Sequence, residues 1–114
     1  MGKTLSIKQK EKAILSVLEE NQQLSREEEG YQRIVIADRE NHHYQLLATG
    51  WATPNHFVNT LLIHFQIKPD GSIWLLENNT ELHVTDELAN RGIPKSEIVL
   101  AFHPPQYRAM AGMA

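Results

Sequence analysis

The chain has 114 residues, 14 acidic against 11 basic, a formal net charge of −3 and no cysteine. That length suits a single domain over 1–114 with one ordinary core, and the lack of thiols excludes disulfides, thiolate metal sites and cysteine nucleophiles. An acidic balance with dispersed lysines and arginines argues against a surface that grips a phosphate backbone directly.

No stretch approaches the roughly 20 apolar residues that a bilayer span requires. The opening Met1-Gly2-Lys3-Thr4-Leu5-Ser6 lacks the apolar segment of a secretory signal, so a cytoplasmic location without membrane contact is expected. Residues 6–23 then read as an amphipathic helix. Ile7, Ile14, Val17 and Leu18 recur near the helical period, and Ala13 and Leu15 widen the stripe. Ser6 suits the N-cap, with Gln9 three positions on as its capping-box partner. Lys8, Lys10 and Lys12 alternate with polar residues and read as a solvated face. Residues 24–30, with Glu27, Glu28 and Glu29 in a row, read as a loop, so that 1–30 is helix and loop and 31–114 the sheet-containing core.

From Tyr31 the period changes to two. In Tyr31–Asp38, Ile34 and Ile36 point one way and Arg33, Val35 and Ala37 the other. Residues 39–43 suit a hairpin loop, 44–51 a second strand, and Pro54 a break. The pattern over 57–68 predicts the longest strand, with Phe57, Leu61, Ile63, Phe65 and Ile67 on one face. Pro69-Asp70-Gly71 is a turn, from which Ile73–Asn78 returns antiparallel. Thr85 suits the cap of a short helix over 86–91, closed by Gly92. One turn over 94–97 follows, then a short buried strand over 98–102, stopped by His103-Pro104-Pro105. The fold class expected is α+β: an N-terminal amphipathic helix on a mainly antiparallel sheet of about four to five strands, with a short helix in the C-terminal half.

Candidate chemistry is sparse. His42 and His43 are adjacent and diverge if extended, Glu81 and His83 lie two apart, and no compact zinc spacing occurs, so no metal or cofactor is expected. Asp38, Glu40 and His42 crowd one hairpin tip, where nothing nearby in sequence would desolvate them into an acid–base pair. The serines sit at helix starts, loops or turns, where backbone hydrogen bonding accounts for them. Trp51 and Trp74, with Tyr31 and Tyr44, fit equally a core between sheet and helix or an exposed binding face. An open sheet also leaves edges, and pairing them across a two-fold axis would make a homodimer. On these grounds no catalytic residue is assigned and the chain is expected not to be an enzyme.

Three stretches, taken together, resemble a known family. They are Asp38-Arg39-Glu40-Asn41-His42-His43-Tyr44-Gln45-Leu46-Leu47 running on to Gly50-Trp51; His64-Phe65-Gln66-Ile67 with Asp70-Gly71-Ser72-Ile73-Trp74 and Asn79-Thr80-Glu81; and Glu87-Leu88-Ala89 with Gly92-Ile93-Pro94-Lys95 and the run from Ile98 through Phe102-His103-Pro104-Pro105 up to Arg108. In this order they resemble the XisI family, the fdxN element excision controlling factors of cyanobacteria, over residues 31–114. The resemblance implies control of DNA-element excision by a site-specific recombinase. It implies a protein partner, an XisH-like companion or the recombinase itself, and carries no catalytic residue and no cofactor. With an acidic chain, DNA is then reached only indirectly. The contact residues expected within the matching stretches are Arg39, His42, Trp51, His103 and Arg108. The alternatives are a direct nucleic-acid-binding accessory factor and a small metal- or ligand-dependent enzyme using the loop histidines.

Overall fold

A computed structural model describes residues 5–23 and 30–101; residues 24–29, for which a loop is expected, and Phe102, His103 and Arg108 lie outside the described residues. Helix α1 (Ile7–Gln22) is followed by strands β1 (Tyr31–Asp38), β2 (His43–Thr53), β3 (His56–Ile67) and β4 (Ile73–Asn78), helix α2 (Val84–Ala89), a 3-10 turn (Lys95–Glu97) and strand β5 (Ile98–Leu100). The strands form one sheet in the order β1-β2-β3-β4-β5. Neighbours are antiparallel except β4 and β5, which run parallel because α2 carries the chain back across the sheet. The expected α+β architecture is present, with α1 packed over β1, β2 and β3.

Local chemistry explains where α1 starts. Ser6 Oγ accepts the Gln9 backbone N–H at 3.2 Å while Gln9 Oε1 accepts that of Ser6 at 2.8 Å, which satisfies two donors that an unfinished helix end leaves open. Ala13, Ile14, Val17 and Leu18 join Tyr44, Leu46, Ile63, Phe65 and Ile67 in the core. Lys10 departs from the solvated face expected for it: it is 2% exposed. Its position explains this, because residues 10, 14, 17 and 21 follow one another on a single helical stripe. Its Nζ donates to the Gly71 carbonyl at 2.5 Å and pairs with Glu97 Oε1 at 2.7 Å, tying α1 to the β3–β4 turn and to the turn before β5. Asn21, at the far end of the stripe, donates to the Val17 carbonyl at 2.9 Å.

The third strand also departs from expectation. Leu46 lies opposite Ile63, but Leu47 lies opposite Leu61, so Leu62 is an extra residue and the strand carries a β-bulge. Beyond it the faces exchange. Ile63, Phe65 and Ile67 are buried beneath α1, whereas Leu61 shares the opposite face with Leu47, and Phe57 shares it with Trp51.

Helix α2 begins at Val84 with His83 at its N-cap and no side-chain cap bond, so Thr85 falls inside it rather than capping it. The entry is shaped upstream instead: Asn78 Oδ1 accepts from Thr80 N and Oγ1 at 2.9 and 2.6 Å, and Asn78 Nδ2 donates to the Leu82 carbonyl at 3.1 Å. Arg91 fastens α2 to α1, donating to Ser16 Oγ at 3.2 Å and pairing with Glu20 and Glu87. Among the described residues no helix is long and apolar enough to cross a membrane.

Candidate functional site

The β1–β2 hairpin tip is held by its own polar residues. Asp38 Oδ1 accepts the Glu40 and Asn41 backbone N–H groups at 3.1 Å each, and Asp38 Oδ2 accepts Asn41 Nδ2 at 2.9 Å. The Asn41 side chain, then its backbone N–H, hold the Asp38 carboxyl below its usual range. His42 closes the turn with φ +58, a left-handed conformation that histidine adopts more readily than a branched residue. Beneath the tip, the hydroxyl of fully buried Tyr44 donates to Glu11 Oε2 at 2.6 Å. Its single proton is committed there, so the 3.1 Å contact between His42 Nδ1 and Tyr44 Oη is donated by His42. Burial first, and the bond to Glu11 second, push the Tyr44 hydroxyl well above its ordinary pKa. Arg39 completes the cluster, its Nε 3.7 Å from Glu11 Oε1. This arrangement braces the hairpin against α1. It moves the Tyr44 hydroxyl away from the neutral range in which a general acid or base works.

Two further groups lie on the sheet face opposite α1. His43 points there while His42 points to Tyr44, and His43 Nδ1 meets His64 Nε2 at 2.9 Å with the rings tilted by 46°. One N–H fills that contact. Burial, then the neighbouring His43, hold the His64 imidazole below its ordinary 6.5, and Glu77 opposes the shift. With a depressed folded value, the unfolded chain takes up a proton first as pH falls. The stabilisation is therefore complete above about 6.5 and lost as pH drops through the folded value. Thermal unfolding from about pH 7 to about pH 5 is expected to show a falling Tm, and His64→Gln a shallower fall; equal slopes for the two chains would remove this pair as the cause.

The largest exposed side chains occupy the same face. Trp51 is 57% and Phe57 52% exposed, and they sit directly opposite each other with ring centroids 5.2 Å apart. On β1, Ile34 and Ile36 are 36% and 42% exposed. Ile34 lies opposite Leu47, which in turn lies opposite Leu61. An apolar row thus crosses β1, β2 and β3 at Ile34, Leu47 and Leu61, and the Trp51–Phe57 pair lies beyond Thr49 and Asn59 on the same face, which no described helix covers.

A model of the XisI protein family matches residues 4–114. The chain belongs to the XisI family. Its fold is similar to that of a XisI-like protein from Anabaena variabilis ATCC 29413, with a TM-score of 0.81, 29% identity, and 92% of this chain and 94% of that one covered. It is also similar to the fdxN element excision controlling factor XisI from the same organism, with a TM-score of 0.76, 27% identity, and 93% and 95% of the two chains covered. No curated protein matches.

In this XisI-family chain the expected contact residues do not form one cluster. Arg39 and His42 meet around Glu11 and Tyr44 at one end of the β1–β2 hairpin. Trp51 stands eight positions along β2 from His43, the strand's first residue and the neighbour of His42, roughly 27 Å away at the rise of an extended strand. His103 and Arg108 lie outside the described residues. Sequence reading missed Phe57 as the partner of Trp51, because the bulge at Leu62 hides that they share a face. The β1 isoleucines carried a signal of their own: both faces of that strand are apolar, and a helix covers only one. Among the described residues no group of three or more metal-ligating side chains converges.

Proposed function

We propose that this chain is a non-enzymatic regulatory protein that controls excision of an fdxN-type DNA element by a site-specific recombinase. It acts by docking to protein, an XisH-like companion or the recombinase, and reaches DNA only through that partner. The observation that carries the docking reading is the exposed Trp51–Phe57 pair on the open sheet face. Exposed aromatic side chains in contact with each other are where protein interfaces concentrate their binding energy. The family supports the excision-control role, and one fold neighbour carries that description. The net charge of −3 favours protein over a phosphate backbone as the direct contact. Arg39 and His42 at the hairpin tip, and His103 and Arg108 in the last stretch of the family match, are proposed as polar contacts of the same docking event.

The test measures binding of the purified chain to a co-expressed XisH-like protein or recombinase from the same host. The Trp51→Ala/Phe57→Ala chain, with an unchanged circular dichroism spectrum, is expected to bind more than about tenfold more weakly, as loss of an aromatic hot spot does. Undiminished binding would move the interface elsewhere. In the same preparation the isolated chain should leave DNA unshifted; a tight gel shift with a steep salt slope would make it a direct DNA binder.

A further inference from the structure

Strand β1 is the end of the sheet, and among the described residues no strand lies beyond it. It also lacks several of the guards that keep an open edge from pairing, its one internal charge being Arg33, held toward the Asn21 carbonyl. Its eight residues hold no proline and no lysine, and its register with β2 is unbroken from Tyr31 to Asp38. The opposite edge differs, since β5 is only three residues long. A long, unbroken edge with two exposed isoleucines is a template for another strand.

We infer that its occupant is a second copy of this chain: β1 pairs with β1 antiparallel across a two-fold axis at Val35, turning two five-stranded sheets into one continuous sheet. Parity and charge select this register. A two-fold axis perpendicular to the sheet keeps each face on its own side, so residues opposite each other must be an even number of positions apart. With the axis at Val35, Val35 meets Val35, each Ile34 meets Ile36 of the second copy, Arg33 meets Ala37, and Gln32 meets Asp38. Four isoleucines then form one cross-strand cluster on the open face. With the axis at Arg33, two guanidinium groups would face each other. With it at Ile34, Ile36 would meet Gln32.

The helix adds charge complementarity. Helix α1 runs antiparallel to β1, with Glu11 beside Arg39 at the hairpin tip and Asn21 beside Arg33, whose Nη1 donates to its carbonyl at 3.1 Å. Its first half carries exposed Lys8 and Lys12 and its second half exposed Glu19, while Glu20 is taken up by Arg91 of the same chain. The same two-fold axis sets the two helices antiparallel, with the lysine end of each toward the glutamate end of the other. A partner of unrelated sequence would have no reason to match both the strand and the helix.

The inference stands apart from the proposed partner docking, and its test distinguishes the two. Sedimentation equilibrium of the full chain is expected to give twice the 13.0 kDa chain mass. The Ile34→Lys/Ile36→Lys chain should give the single-chain mass with unchanged circular dichroism, while Trp51→Ala/Phe57→Ala should keep the doubled mass. Because the native chain has no cysteine, an equimolar mixture of Ile34→Cys and Ile36→Cys chains should cross-link on oxidation. Neither chain should do so by itself, since like residues then lie on a diagonal too long for a disulfide. A wild type at the single-chain mass, a dimer that survives the lysines, or a mixture that does not cross-link would each overturn the β1 pairing.

Discussion

A Lys10→Ala chain is expected to lose about 3 kcal/mol of folding stability. Lys10 is 2% exposed, yet its ammonium group carries a charge into the junction of three elements. The charge is tolerated because Nζ donates to the Gly71 carbonyl at 2.5 Å and faces Glu97 Oε1 at 2.7 Å. Alanine removes the donor and the aliphatic stem together, so α1 loses its tie to the β3–β4 turn and Glu97 is left without its counter-charge. Removing one partner of a fully buried pair costs about 3–5 kcal/mol. Glu97 is a quarter exposed, and water reaching it draws the value to the lower end. The Lys10→Met/Glu97→Gln chain keeps the stem and removes both charges, and should recover most of the loss. Urea unfolding with an unchanged m-value measures it; a loss under about 1 kcal/mol would mean that the pair is solvated after all.

The second large effect is expected at Gly30, where Gly30→Ala should cost about 3 kcal/mol and weaken partner binding as well. Gly30 has φ +74, a left-handed conformation that disfavours a side chain by about 1–2 kcal/mol. The added Cβ would also stand 2.1 Å from the Trp51 carbonyl oxygen, which is backbone and cannot rotate aside. Relief requires the end of β2 to move, and Trp51 with it. The comparison chain is Gly92→Ala. There φ is +92, but the nearest atom to the new Cβ is Leu5 Cδ1 at 3.8 Å, an ordinary contact. Only the conformational cost applies, so Gly92→Ala should lose about 1–2 kcal/mol and leave binding unchanged. Equal losses for the two alanines would show that the collision at Trp51 is relieved without moving the strand.

Much of the fold is legible in the residues. The Ser6–Gln9 capping pair marks where α1 begins, the alternation in β1 gives both of its bounds, and Pro69-Asp70-Gly71 places the β3–β4 turn, with Gly71 at φ +88. These features depend on neighbours a few positions away, whose geometry the backbone dictates. The candidate contact residues were less legible. Arg39 and His42 converge only because Glu11, distant in sequence, is brought beneath the hairpin.

By itself the sequence determined the order and kind of the elements, the acidic charge and the family, since each follows from local periodicity, composition or ordered motifs. Tertiary structure alone decided which face each residue shows. One extra residue at Leu62 moves Phe57 and Leu61 to the open side of the sheet, and the placing of α1 over one face buries Lys10 while leaving Ile34 and Ile36 in water. The physical reason is common to these cases: a strand or helix pattern distinguishes two sides, but which side is covered depends on where distant elements pack.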